Sequence, residues 1–305
     1  LPSEVLSSGE WWWNFQLFLP WFKIIHSENQ RCQKLSEALP KPPIRTKQIM
    51  PSTFQNESSE TIEESGSVEA PSANNRLYSM TAPMYDRINL SVSFGNGYRY
   101  REEEVRKLCI SEGDHLLDIG SGTGILAKTA LELAGTNGRV VALDPCLEML
   151  KIAERSGITE TMIGSIDEIP VEDEIFDFVT SGYSLRYAKD ITHGLGEIWR
   201  VLKPGGKALI LEITPPKNAA LRLLTRTYIL VGARIIAVMA TRSLTSQKLL
   251  GHLWNEIRTT PQPESFLKSL ESIGFRDCSC QRKHGMLTAY TVIKPLGSSI
   301  NDPLT

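Results

Sequence analysis

The chain has 305 residues, of which 41% are apolar and 22% charged, a composition that buries at least one full-sized core and excludes disorder along its whole length. Thirty-three Lys and Arg against thirty-five Asp and Glu leave a formal charge of -2. That excludes a broad positive field, so no nucleic acid is expected as a partner. Cys32, Cys109, Cys146, Cys278 and Cys280 are too scattered for a disulfide framework, which points to a reducing, cytoplasmic compartment.

Residues 1–75 carry no apolar period of 2 or 3.6, and Pro, Ser and charge dominate them. They read as a largely disordered leader. Trp11 to Phe22 comes nearest to a membrane span but is interrupted by Asn14, Gln16 and Pro20, and its flank carries Glu4 and Glu10, unlike a signal peptide. Lys23 to Lys47 is basic and Glu57 to Glu69 acidic. The chain opens on Leu, and Met50 precedes a more ordinary beginning. Residues 1–49 are therefore candidates for absence from the mature product, or for an organelle-targeting segment.

From residue 76 to residue 295 the texture is that of one α/β domain with a doubly wound, mostly parallel sheet. His115 to Ile119 reads as the first strand, followed by Gly120-Ser121-Gly122-Thr123-Gly124 and a helix over Ile125 to Ala134. Arg139 to Asp144 is the second strand, with a helix from Cys146 to Arg155, and Thr161 to Ile163 and Phe176 to Ser181 are the third and fourth. A helix from His193 to Leu202 stops at Lys203-Pro204-Gly205-Gly206, and Lys207 to Ile213 is the fifth strand. Phe275 to Gln281 and Met286 to Ile293 form an antiparallel C-terminal hairpin that closes the sheet. Residues 296–305 read as a flexible tail.

Ligands of open α/β sheets bind at the carboxyl ends of the strands, so the loop after strand one is the first candidate site. Gly120, Gly122 and Gly124 let backbone approach a ligand closely, although any tight strand-to-helix turn needs glycine. The spacing is G-x-G-x-G with Ile125 where a dinucleotide site wants its last glycine, which counts against a nicotinamide cofactor. Asp144 ends strand two and offers a carboxylate to both hydroxyls of a ribose, or else caps the next turn beside Pro145.

Leu117-Asp118-Ile119-Gly120-Ser121-Gly122-Thr123-Gly124, then Asp144, then Leu202-Lys203-Pro204-Gly205-Gly206 together resemble the class I S-adenosylmethionine-dependent methyltransferases, a Rossmann-like fold. Tyr85-Asp86-x-x-Asn89, Ser93-Phe94-Gly95, Ser184-Leu185-Arg186, Trp199-Arg200-Val201-Leu202 and Arg258-x-x-Pro261 before Gly274-Phe275 are similar to the ubiquinone/menaquinone biosynthesis C-methyltransferases. The resemblance implies S-adenosyl-L-methionine as cofactor and a ring carbon of a demethylated prenyl quinol as acceptor. It implies that Asp118, Gly120, Ser121, Gly122, Thr123 and Gly124 surround the methionyl part and that Asp144 holds the ribose. Ser165 and Ile166 stand where the family has an Asn-Ala or Asp-Ala pair beside the adenine, Gly182 where a cofactor-contacting serine is common, and Tyr187 where it has Asn.

Methyl transfer from a sulfonium asks mainly for alignment and exclusion of water, whereas methylation at a ring carbon also needs a phenolate and removal of a proton. Arg186 is the candidate for lowering a quinol hydroxyl's pKa or orienting a water, and Tyr85 and Asp86 are candidates for proton transfer. Their plainer readings are an ion pair for Arg186, a core tyrosine for Tyr85 and a turn cap for Asp86. Helices over about 219–258 are expected as a lid. Within them, Ala219 to Ala240 is apolar with Arg222, Arg226 and Arg234, and reads as a lid helix on a membrane surface or as a core-packing or homodimer face. The five histidines show no ligand spacing, so no metal is expected. Two other readings stay open: an acceptor that is another lipophilic molecule, such as a phospholipid amine or a sterol, and a methyltransferase-like binding protein without catalysis.

Overall fold

A computed structural model describes residues 73–297. The expectations for the leader up to residue 72, and for the tail from residue 298, lie outside the described residues. The described chain begins on a helix, α1 (Ala73–Val92), so order starts within the stretch assigned to the leader. Next, α2 (Asn96–Arg106) follows Gly95, whose left-handed φ of 77° makes the turn.

The sheet strands are β1 (His115–Ile119), β2 (Arg139–Asp144), β3 (Glu160–Ile163), β4 (Phe176–Gly182), β5 (Leu202–Ile213), β6 (Arg276–Lys283) and β7 (Leu287–Ile293). Their order is β3-β2-β1-β4-β5-β7-β6. The first five pair in parallel, with Leu117 opposite Val141 on one side and Val179 on the other. β7 runs antiparallel between β5 and β6. Parallel strands must be covered on both faces, and the sequence supplies apolar runs such as Leu116-Leu117 and Val140-Val141 to be covered. On one face α5 (Ile191–Val201) and α9 (Pro263–Ile273) bury Leu195, Ile198, Phe266 and Leu270 against Leu117, Val179 and Ile210. On the other, α2, α3 (Ile125–Ala134) and α4 (Leu147–Arg155) bury Val105, Leu126, Ala130 and Leu150 against Leu116, Val140 and Leu209. Each such aliphatic side chain contributes roughly 1.5–3 kcal/mol when fully buried.

Lys203-Pro204-Gly205-Gly206 does not separate α5 from β5. Leu202 already pairs with Phe176, and the ladder resumes at Lys207 opposite Phe178 after an irregularity, so these residues belong to β5. The C-terminal carbonyls of α5 are met from across the sheet by Lys294, whose fully buried Nζ donates to Leu202 O at 2.8 Å and Trp199 O at 3.0 Å and pairs with Glu174 at 3.1 Å.

Between β5 and α9 run α6 (Ala219–Thr227), a π turn (Tyr228–Gly232), α7 (Ala233–Thr241) and α8 (Thr245–Thr259). Ala219–Thr241 is a 23-residue helical stretch which, by length and composition alone, is enough to cross a membrane. This corrects the expectation that no such stretch exists in the chain. One side of it buries Ala233 and Ala237 against Ile88 of α1 and Leu249 and Leu250 of α8. The other leaves Leu223, Leu224, Val231, Ile235 and Met239 exposed. Nor do the three arginines share a face: Arg222 and Arg226 are exposed, whereas Arg234 lies over Gly251 and donates to Gln247 O.

Candidate active site

The loop after β1 is shaped by what stands beside it. A Cβ on Gly120 would lie 2.2 Å from the Ser184 Cβ, so this glycine is where the β1 and β4 loops cross. Gly122 has φ 56°, and a Cβ there would meet nothing within 4 Å. Its glycine character serves the left-handed turn and leaves open space against bare backbone. Ser121 Oγ, beside it, is buried without a partner. An orphaned hydroxyl and an open glycine at the N-terminus of α3 are what the polar end of a cofactor would fill.

Asp144 closes this cradle. Its Oδ2 accepts from Gly122 N and its Oδ1 from Cys146 N, both at 2.8 Å. Burial pushes its carboxyl up, and the two backbone donors pull it back. Each oxygen keeps a second lone pair, so the residue braces the turn and can still accept a pair of hydroxyls. Asp118 sits beneath the loop instead of surrounding a ligand: it is fully buried, with its oxygens accepting from Thr180 Oγ1 at 2.7 Å and Ala127 N at 3.1 Å. Burial raises its pKa to about 7 against those two bonds.

Thr123 does not face open space either. Its hydroxyl donates to Asp86 Oδ1 at 2.7 Å, so Asp86 is a mid-helix residue latching α1 to the glycine loop and not a turn cap. Further links place α1 over this end of the sheet: Asn75 Nδ2 donates to Pro145 O at 2.9 Å, and Ser79 Oγ to Glu148 at 2.8 Å. Tyr85 packs partly buried beside Ala82, Cys146 and Met149, its ring 5.9 Å from that of Tyr78.

The adenine pair departs from expectation. Ile166 is core, buried among Leu195 and Ile198, while Ser165 Oγ accepts from Asp167 N at 3.3 Å and lines an open cleft of about 450 Å³ with Lys189 and His193. Gly182 ends β4 where a Cβ would come within 2.7 Å of Leu126 Cδ1, so a side chain there requires that leucine to move.

Arg186 lies on a 3-10 turn (Leu185–Tyr187) after β4, and its plain reading as a surface ion pair needs correction. Its partner is Glu212 of β5, and the two side chains are only 5% and 4% exposed. Burial works against the guanidinium's charge, but Glu212, with Tyr187, raises its pKa. One nitrogen serves Glu212, while Nε and Nη1, and Glu212 Oε1, are buried without partners. Arg186 also lies over the Tyr183 ring at 5.8 Å, and Arg101 lies on it at 4.7 Å. Tyr183 holds a left-handed φ of 62°, a strained conformation for a side-chain-bearing residue and the kind found at working sites. An open cleft of about 400 Å³ runs past Arg186, Lys189, Glu256 and Thr260.

Sequence reasoning passed over Glu212, Thr180, Tyr78, Arg101 and Glu256. Glu212 had a signal, an acid inside the apolar strand KALILEI. The others had none, since tertiary packing alone brings them to the site. Among the described residues no group of His, Cys, Asp and Glu is placed to hold a metal ion.

The sheet order, with its antiparallel seventh strand, and the glycine cradle define a class I S-adenosylmethionine-dependent methyltransferase. Solved structures share the fold, among them a SAM-dependent methyltransferase from Thermotoga maritima (TM-score 0.52, 18% identity, covering 72% of this chain and 98% of that one). The profile of the ubiE/COQ5 methyltransferase family matches residues 69–294, and the chain belongs to that family. It is 32% identical over 229 residues to the Geobacter sulfurreducens ubiquinone/menaquinone biosynthesis C-methyltransferase UbiE, covering 72% of this chain and 88% of that one. It is 30% identical over 228 residues to the demethylmenaquinone methyltransferase of Chlorobaculum tepidum, covering 73% and 92%. A 2-phytyl-1,4-naphtoquinone methyltransferase from Thermosynechococcus vestitus is 31% identical over 220 residues, covering 71% and 96%.

Proposed function

We propose that this chain methylates a ring carbon of a prenylated quinol, at a membrane surface. The observation that carries this reading is the buried Arg186–Glu212 pair, which keeps two donors and one acceptor free beside a cleft at the end of β4. Three unpartnered polar atoms in a buried pair are costly unless a ligand meets them, and a hydroxylated ring supplies both an oxygen to accept and a hydroxyl to donate. The names carried by the relatives point the same way.

S-adenosylmethionine supplies, when bound, a methyl group already activated for transfer. Asp144 is the residue expected to take its ribose hydroxyls, and Gly122 and Ser121 its amino-acid end. Arg186 Nε and Nη1 hold the quinol oxygen as an oxyanion, which directs electron density to the adjacent ring carbon. Tyr183 is held between Arg101 and Arg186 and walls the acceptor off from solvent, while α1, latched through Asp86 and Thr123, covers the donor side. Exposed Leu223, Leu224, Ile235 and Met239, beside Arg222 and Arg226, suit the boundary of an anionic membrane through which a prenyl tail enters. That combination favours peripheral membrane contact over a homodimer face.

The test is incubation of the purified protein with methyl-labelled S-adenosylmethionine and a lipid extract from cells lacking quinol methylation. Label is expected on the quinone fraction. Label on a phospholipid or sterol instead would retain the donor site and discard the acceptor.

A further inference from the structure

Methylation at carbon leaves a hydrogen to be removed, and Arg186 is a poor recipient because its guanidinium stays protonated. Asp86 is engaged by Thr123, and Glu212 is enclosed with Arg186 at 4% exposure. The remaining carboxylate on the cleft that Arg186 lines is Glu256 of α8. Its Oε2 is buried and without a partner. Its Oε1 stands 2.7 Å from His252 Nε2, one helical turn back, where the imidazole is 35% exposed. Tyr187, adjacent to Arg186, brings its hydroxyl within hydrogen-bonding reach of Glu256 and 2.6 Å from that of Tyr78. A free carboxylate oxygen on the cleft and an imidazole reaching solvent are joined through one side chain.

We propose that Glu256 takes up the ring hydrogen as a proton and that His252 delivers it to water, with Tyr187 and Tyr78 fixing the carboxylate's position. The proposal rests on the quinol reading above. The ring carbon gains a carbon–carbon bond as the donor's sulfur–carbon bond breaks, and that carbon then carries both hydrogen and methyl. Glu256 Oε2 accepts the proton, and the electrons of the breaking carbon–hydrogen bond restore the aromatic ring. The carboxyl passes a proton to the facing Nε2 of neutral His252, and the far ring nitrogen releases one to solvent. The sum is one methyl transferred and one proton released.

The experiment uses the full chain with S-adenosylmethionine and 2-phytyl-1,4-naphthoquinol, carrying either hydrogen or deuterium at carbon 3. Glu256→Gln is expected to lower kcat about 100-fold, to leave S-adenosylmethionine affinity by calorimetry unchanged, and to show a larger deuterium isotope effect on kcat than the unsubstituted enzyme. His252→Ala is expected to lose turnover that added imidazole restores. Glu256→Gln turnover within about threefold of the unsubstituted enzyme, or slowed turnover with an unchanged isotope effect, overturns the relay while leaving the acceptor standing. If the unsubstituted enzyme leaves this quinol unmethylated, the acceptor reading falls and the relay with it.

Discussion

Both oxygens of Asp144 already hold backbone N–H groups, so replacing it removes a ligand acceptor and loosens the turn that presents Gly122. Asp144→Ala is expected to weaken S-adenosylmethionine binding by about 1.5–3 kcal/mol, seen by calorimetry, with Asp144→Asn losing less because one acceptor remains. Asp118 yields a stability prediction. Its pKa is raised to about 7 in the fold and is near 4 when unfolded. The folded state therefore holds more protons between those values, and stability falls as pH rises through that window, by up to about 1.4 kcal/mol per pH unit, with the loss complete above pH 7. Thermal melts from pH 4 to 8 should show this decline, shallower in Asp118→Asn. These two aspartates were legible in the sequence because each ends or interrupts an apolar strand next to the glycine loop. Their division of labour was not, since which one faces the cleft depends on the pleat and on Thr180 from another strand. Tyr187 and Glu256 were illegible as a pair, being set together only by how α8 docks.

At the level of elements, the strands of the parallel sheet were readable to within a residue or two, since each is a short apolar run ended by Gly, Asp or Pro. Lys203-Pro204-Gly205-Gly206 misled because Pro and Gly ordinarily end structure, whereas an irregularity in the ladder accommodates them inside β5. The onset of α1 escaped detection because its apolar residues pack on α4, α7 and α8, neighbours that the local sequence does not specify. Lys294 was equally silent, a lysine after a strand that reads as surface. Its buried ammonium ties β7 to the end of α5, so Lys294→Met is expected to leave Trp199 and Leu202 carbonyls unmet and to cost roughly 1–3 kcal/mol for each. The check is a lowered Tm by circular dichroism, with S-adenosylmethionine still bound at low temperature.

For the whole molecule, the lid unites two surfaces of opposite kind, one packed on α1 and α8 and one apolar and exposed. Changing Ile235 and Met239 together to Glu should reduce sedimentation with anionic phospholipid vesicles at least tenfold, about 1.4 kcal/mol. Turnover on a short-tailed quinol should persist, because neither side chain lines the cleft. The sequence showed that this segment was both apolar and arginine-bearing but not how the two faces are apportioned. The π turn at Tyr228–Gly232 governs that apportionment, with the Tyr228 hydroxyl donating to Val92 O at the end of α1. A π turn is one residue too many for an α-helix. Deleting a single residue there would restore an unbroken spiral, turn everything downstream by about 100°, and swing Ala233 and Ala237 out of their seats. The lid is thus indexed like a key cut with one extra tooth, and its length in residues fixes which face meets the enzyme.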